Sequence, residues 1–228
     1  MNSNSYARRR LQAGLAGLVA VSMVVVLAAS DAHDGHAETD HHAAVAAVQT
    51  DKQRALHDAM RSLWEQHVAW TRLAIVSFAG DLPDLASTQA RLLRNQTHIG
   101  NAVKPYYGRA AGNKLTTLLK AHISGAVDLL VAAKAGDKAQ IAKAKTAWYA
   151  NGRQISDFLS SANPAHWPRA GMRAMMKTHL DQTLREAVDQ LTGKYAAGIR
   201  EYDAIERHIV EMADMLSGGI VEQFPARF

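Results

Sequence analysis

The stretch Leu56-His57-Asp58-Ala59-Met60-Arg61-Ser62-Leu63-Trp64-Glu65-Gln66-His67-Val68-Ala69-Trp70-Thr71-Arg72-Leu73-Ala74 decides the fold class. Leu56, Met60, Leu63, His67, Trp70 and Ala74 follow one another at alternating steps of four and three, the spacing that lines one face of an α-helix. The pattern runs on until Gly80-Asp81-Leu82-Pro83 breaks it, so a first helix is expected over 45–79.

The same period recurs downstream. A second helix is expected over 84–103, with Leu85, Leu92, Gln96, Ile99 and Val103 in phase, and Lys104-Pro105-Tyr106-Tyr107-Gly108 then reads as a tight connection. A third over 110–133 carries Leu115, Leu119, His122, Ala126 and Leu129, and Gly136-Asp137 ends it. The fourth, 138–161, places Ile141, Ala144, Trp148, Asn151, Ile155 and Leu159 on one face. The fifth, 169–191, aligns Met172, Met176, Leu180 and Leu184, with His179, Thr183 and Glu186 beside them. The sixth, 195–217, combines Tyr202, Ile209, Met212 and Leu216 before Gly218-Gly219, where it is expected to stop. All five prolines fall at the breaks. Long amphipathic helices joined by short connections make antiparallel neighbours, so residues 45–228 are expected to form an all-α, antiparallel helical bundle of about six helices.

Composition agrees. With 228 residues, 48 % of them hydrophobic, the chain is long and apolar enough to bury a sizeable core. It has no cysteine, which excludes disulfide scaffolds, thiolate zinc sites, iron–sulfur clusters and cysteine nucleophiles together. The net charge of +5 is mostly terminal: Arg8, Arg9 and Arg10 supply three of the 26 basic residues, leaving 23 to face 21 acids from Asp31 onward. So weak a balance gives no electrostatic footprint for a nucleic acid, and none is expected as a partner.

Those three arginines precede an uncharged apolar run, Leu11 to Ala29. Residues 1–30 read as a signal peptide or signal anchor. The run nearly spans a hydrocarbon core, while the small residues after it, Ala28-Ala29-Ser30 or Ser30-Asp31-Ala32, suit signal peptidase. Either outcome places the bundle outside the cytoplasm, periplasmic, secreted or membrane-anchored. Residues 31–44 form a His- and acid-rich segment with His33, His36, His41 and His42 and no Lys or Arg, the side chains that borderline metal ions prefer. Cleavage after Ser30 would add a free amine two residues before His33, a square-planar set suited to Cu(II) or Ni(II).

The polar residues in core phase carry the chemistry. His67, His122, His179 and His208 sit on apolar stripes of four different helices. Glu186 shares a face with His179, and Met212 follows His208 by one turn. Burying an unpaired imidazole costs a few kcal/mol, and bundles build metal sites from side chains on facing helices. His67, His122, His179, Glu186, His208 and Met212 are therefore the candidate core ligands, set against ordinary core residues hydrogen-bonded within the protein. Met175, Met176 and Met215 offer further thioethers, against the plainer role of core filling. Asn95, Gln96, Asn101 and Asn151, with Arg72, form a second, amide-rich group, read as a ligand pocket or a hydrogen-bond network fixing helix register. His98 shares a face with Arg91 and Arg94 and is expected in solvent. Glu-x-x-His on each of two helices, which a ferritin-like di-iron centre needs, does not occur, and His-Glu-x-x-His, a glycine-rich phosphate loop and a nucleophile elbow are missing too.

Several strings form a recognisable set: Trp64-Glu65-Gln66-His67-Val68-Ala69-Trp70-Thr71-Arg72, Arg91-Leu92-Leu93-Arg94-Asn95-Gln96, Ile99-Gly100-Asn101-Ala102-Val103-Lys104-Pro105-Tyr106-Tyr107-Gly108, and Gly219-Ile220-Val221-Glu222-Gln223-Phe224-Pro225. With Asn163-Pro164 they resemble a poorly characterised family of bacterial exported all-helical proteins, over about residues 56–228. The resemblance implies the helical fold, the envelope location and histidines at positions 67, 122, 179 and 208. It leaves function open, since the glycosyltransferase label given automatically in that family has neither a sheet nor a nucleotide-binding turn behind it. Three functions follow as expectations. The first is an extracytoplasmic protein binding a transition metal at a His-lined core site, copper ahead of zinc, nickel or iron. The second is a metal-dependent envelope enzyme. The third is a metal-free structural or adaptor bundle.

Overall fold

A computed structural model describes residues 49–228, and the expected signal peptide or anchor, residues 1–30, and the segment with His33, His36, His41 and His42 lie outside them. The described residues form five α-helices and no strand: α1 Asp51–Ala79, α2 Leu85–Ala135, α3 Lys138–Ala162, α4 Arg169–Leu191 and α5 Tyr195–Gln223, then a 3-10 turn, Pro225–Arg227.

α1 begins later than the expected residue 45, because Thr50 is an N-cap. Its hydroxyl accepts the Gln53 N–H at 3.2 Å while Gln53 Oε1 accepts the Thr50 N–H at 2.8 Å, a reciprocal capping box. Hydrophobic period alone does not register such a cap.

The expected connection at Lys104 to Gly108 is also corrected. The helix runs through Pro105 to Tyr107, and Gly108 alone leaves helical geometry, at φ 82° and ψ 168°. A straight helix of 51 residues would be about 75 Å long. Yet Lys134, near its end, donates to the Phe78 carbonyl at 3.0 Å and pairs with Asp81 at 2.6 Å, beside its beginning. The chain therefore doubles back at Gly108, where only glycine takes the positive φ cheaply. The two arms of α2 press together so closely that a Cβ on Gly112 would stand 2.4 Å from the Gly100 carbonyl oxygen. Five helical runs thus supply six rods.

α5 does not stop at Gly218-Gly219 but continues to Gln223. Gly219 serves packing: a Cβ there would lie 2.2 Å from Trp167 Nε1. Its carbonyl accepts the Asn163 side-chain amide at 2.8 Å, anchoring the α3–α4 connection. Each rod packs on its neighbours in chain order and α5 returns to α1, closing a ring. Met60, Ile99, Leu115, Ile155, Leu180, Ile209 and Ile220 fill the axis, each burial contributing about 1.5–3 kcal/mol. The Leu85–Ala135 run is long and apolar enough to cross a membrane, a test that core helices also pass, and it buries Leu92, Ile99, Leu115 and Leu119 inside the bundle.

Candidate functional site: a buried imidazole layer

Halfway along the bundle the apolar core gives way to polar side chains. His67 on α1, His122 on the second arm of α2 and His179 on α4 are 2–4 % exposed. His179 stands in the middle, its ring centroid 5.7 Å from that of His67 and 6.2 Å from that of His122. Three imidazoles from three rods are thus brought together by helices that each hide the histidine on their apolar stripe.

Three of the four amides that the sequence set apart, Asn95, Gln96 and Asn151, belong to the same layer. Asn151 donates its Nδ2 to the Leu118 carbonyl at 3.2 Å, so its Oδ1 faces His122 Nδ1 at 3.1 Å. His122 therefore carries its proton on Nδ1 and keeps a lone pair on Nε2. The Gln96 amide nitrogen lies 3.0 Å from the Leu92 carbonyl, 3.1 Å from Asn95 Oδ1 and 3.1 Å from His67 Nδ1. Two hydrogens cannot serve three acceptors, so one is left without a proton. His179 Nδ1, Gln96 Oε1 and Trp64 Nε1 have no hydrogen-bond partner within the protein. Trp64 closes the layer beside His67, ring centroids 5.7 Å apart. Each such buried polar atom costs about 1–3 kcal/mol.

Burial dominates the electrostatics. It pushes His67 down to about 3 and His122 to about 4, with Asn151 opposing in the second case. His179 is held well below its ordinary value by burial and then by the like charges that His67, His122 and His208 would carry. All three rings are neutral at pH 7.

The other sequence candidates sit elsewhere. His208 is half-buried, and its Nε2 donates to the Met175 carbonyl at 3.0 Å. Glu186, 1 % exposed, is paired with Arg72 at 2.7 Å, and Arg72 also lies over the Tyr202 ring. Burial raises the Glu186 carboxyl and Arg72 pulls it back. Met212 and Met176 are in the apolar core, whereas Asn101 and His98 are exposed. Among the described residues no group of three or more His, Asp or Glu side chains stands in metal-ligating geometry.

No family profile, curated protein or solved structure is found to match the chain.

Two surface pairs escaped the sequence reading. Asp214 accepts both Nε and Nη2 of Arg61 at 2.6 Å and lies 2.9 Å from His57 Nε2, joining α5 to α1. His166 meets Glu222 at 2.6 Å. The His57 and Arg61 partners are more than 150 positions away, and no local pattern announces them.

Proposed function

We propose that this chain is an exported transition-metal-binding bundle whose core site is His67, His122 and His179, copper ahead of zinc, nickel or iron. The observation that carries the reading is His179: it is buried between two neutral imidazoles, and its Nδ1 has no partner in the protein. With metal–nitrogen bonds of about 2.1 Å, imidazoles on one ion have ring centroids roughly 5–5.5 Å apart. The separations from His179, 5.7 Å to His67 and 6.2 Å to His122, are close to that range, and side-chain movement would be needed to bring the three rings onto one ion. Asn151 fixes the ring of His122 through Nδ1, as outer-shell partners of metal-bound histidines do. His33, His36, His41 and His42 form a separate capture segment in this reading.

A second reading, a metal-free adaptor whose polar layer fixes helix register, draws on the amide bonds to His67 and His122. The test uses the full chain without an affinity tag, loaded with Cu(II) and analysed for bound metal, next to His179→Leu and a variant with His33, His36, His41 and His42 all changed to Ala. One ion lost with His179→Leu and retained by the four-Ala variant supports the core site. Binding that follows the four histidines alone overturns it.

A further inference from the structure

Directly beside the imidazole layer, toward the bundle end that carries the α1–α2 and α2–α3 turns, lies a cavity of about 50 Å³. Thr71, Trp148 and Thr183 line the side nearest the histidines. Thr71 is one turn beyond His67, Thr183 one turn beyond His179, and the Trp148 indole stacks on His122 with centroids 5.2 Å apart. The rest of the wall is aliphatic, including Leu92, Ala126 and Ala187.

We propose that this cavity holds a small, uncharged, apolar molecule, of the size of dioxygen, beside the imidazole layer. Its walls exclude the alternatives. The only two hydroxyls lining it are committed to their own helices: Thr71 donates to the His67 carbonyl at 2.7 Å and Thr183 to the His179 carbonyl at 2.9 Å. The Trp148 N–H is likewise spent on the His122 carbonyl at 3.1 Å. No donor is left to face inward, so an anion or a polar metabolite would lose its hydration and gain nothing. Water needs two to four polar partners to stay, and these walls offer at most the lone pairs of the two threonine oxygens. Size selects further, since apolar cavities that take benzene are about 150 Å³. The wall includes Val188, which is 42 % exposed, so on the α4 side the cavity lies close to the surface. The cavity itself stands on these contacts; a role in bringing a ligand to a metal ion rests on the three-histidine reading above.

Xenon is the probe, since it is neutral, apolar and small. Titrating full-length protein with xenon and following the xenon-129 resonance should show a saturable shift. Ala126→Leu, which fills the cavity, should abolish it while the protein melts at an unchanged or higher temperature. Ala74→Val fills the same space more gently and should weaken the shift several-fold if the larger residue unfolds the bundle. A shift that is absent, or insensitive to both substitutions, overturns the proposal. Adding Cu(II) then separates the two readings. Broadening of the bound xenon signal by copper, lost in His179→Leu, supports the placement beside the ion. Bound copper without broadening overturns that placement. Saturable xenon in a protein whose core takes up no copper sinks the metal reading and upholds the cavity.

Discussion

His122 and Trp148 are locked face to face and backbone to ring: the imidazole and indole planes are 20° apart with centroids at 5.2 Å, and the indole N–H donates to the carbonyl of the same histidine at 3.1 Å. Within the α2–α3 contact one aromatic side chain thus both packs against the histidine ring and satisfies the histidine's backbone carbonyl.

Trp148→Phe keeps a flat ring and loses the donor. We expect about 1–2 kcal/mol of destabilisation from the lost bond and the smaller ring, read as a lower urea midpoint with an unchanged slope. Cu(II) at the three histidines should quench tryptophan emission in the wild type, through Trp148 and Trp64. An emission spectrum that is indifferent to stoichiometric copper counts against the core site.

Acid should weaken the apo bundle in a window set by its histidines. Their folded-state values, about 3 for His67, about 4 for His122 and well below 6.5 for His179, lie under the unfolded value near 6.5. The unfolded chain therefore takes up protons first, and stability that is complete above pH 6.5 falls as pH drops toward 4. His67 and His122 should each contribute a loss of about 2 kcal/mol between pH 7 and 5. Melting temperatures across that range should decline less steeply in His67→Leu, and a flat wild-type profile would contradict the burial argument.

Metal retention should have a different acid limit in the two His-bearing regions. Imidazoles already neutral in the folded apo protein offer protons no advantage over a metal ion until about pH 4, whereas unperturbed ones release metal as pH falls through about 6.5. Copper at the core should therefore raise the melting temperature undiminished at pH 5, while copper on His33, His36, His41 and His42 is lost by then. The comparison is between copper-loaded and chelator-treated protein at pH 7 and pH 5.

Glu186→Gln tests whether that carboxylate belongs to the site. Its partner is Arg72, and breaking a buried pair from one side costs about 3–5 kcal/mol. We expect a clear stability loss with bound copper unchanged in the folded protein. A lost ion would return Glu186 to the ligand set.

Two adjacent glycines in α5 should respond oppositely. Gly219→Ala drives a Cβ into the Trp167 indole, with overpacking costing about 1–3 kcal/mol or more. Gly218 has nothing within 4 Å of the added carbon, so Gly218→Ala should be neutral or stabilising by up to about 1 kcal/mol. Urea midpoints of the pair decide it.

Helical period carried most of the architecture into the sequence, because every rod hides one stripe and Leu56 through Ala74 shows it plainly. Boundaries set by single contacts were not legible that way. Gly218-Gly219 read as a stop, since nothing local reveals that Trp167, some 50 residues earlier, needs the space. The close approach of Gly100 and Gly112 is likewise a contact between two rods that helical period does not register. At the site, phase placed His67, His122 and His179 inward, and the structure gathers them. It did not reveal that Gln96 and Asn151 hold two of those rings, nor that Arg72 claims Glu186, because both facts depend on which rods are neighbours.

The closed ring of rods has a topological consequence. Lys52 donates to the Arg227 carbonyl at 3.3 Å, and the Phe228 ring stacks on Tyr106 at 5.6 Å, so the two ends of the bundle meet at one pole. The Gly136-Asp137 turn lies at the other pole, beside the turn that Lys134 clamps to Asp81. A circular permutant that joins residue 228 to residue 49 through a short glycine linker and opens the chain at Gly136 would keep every rod intact. In it the two arms of α2 become the last hairpin translated instead of the second, and the imidazole layer would be completed only when that hairpin docks.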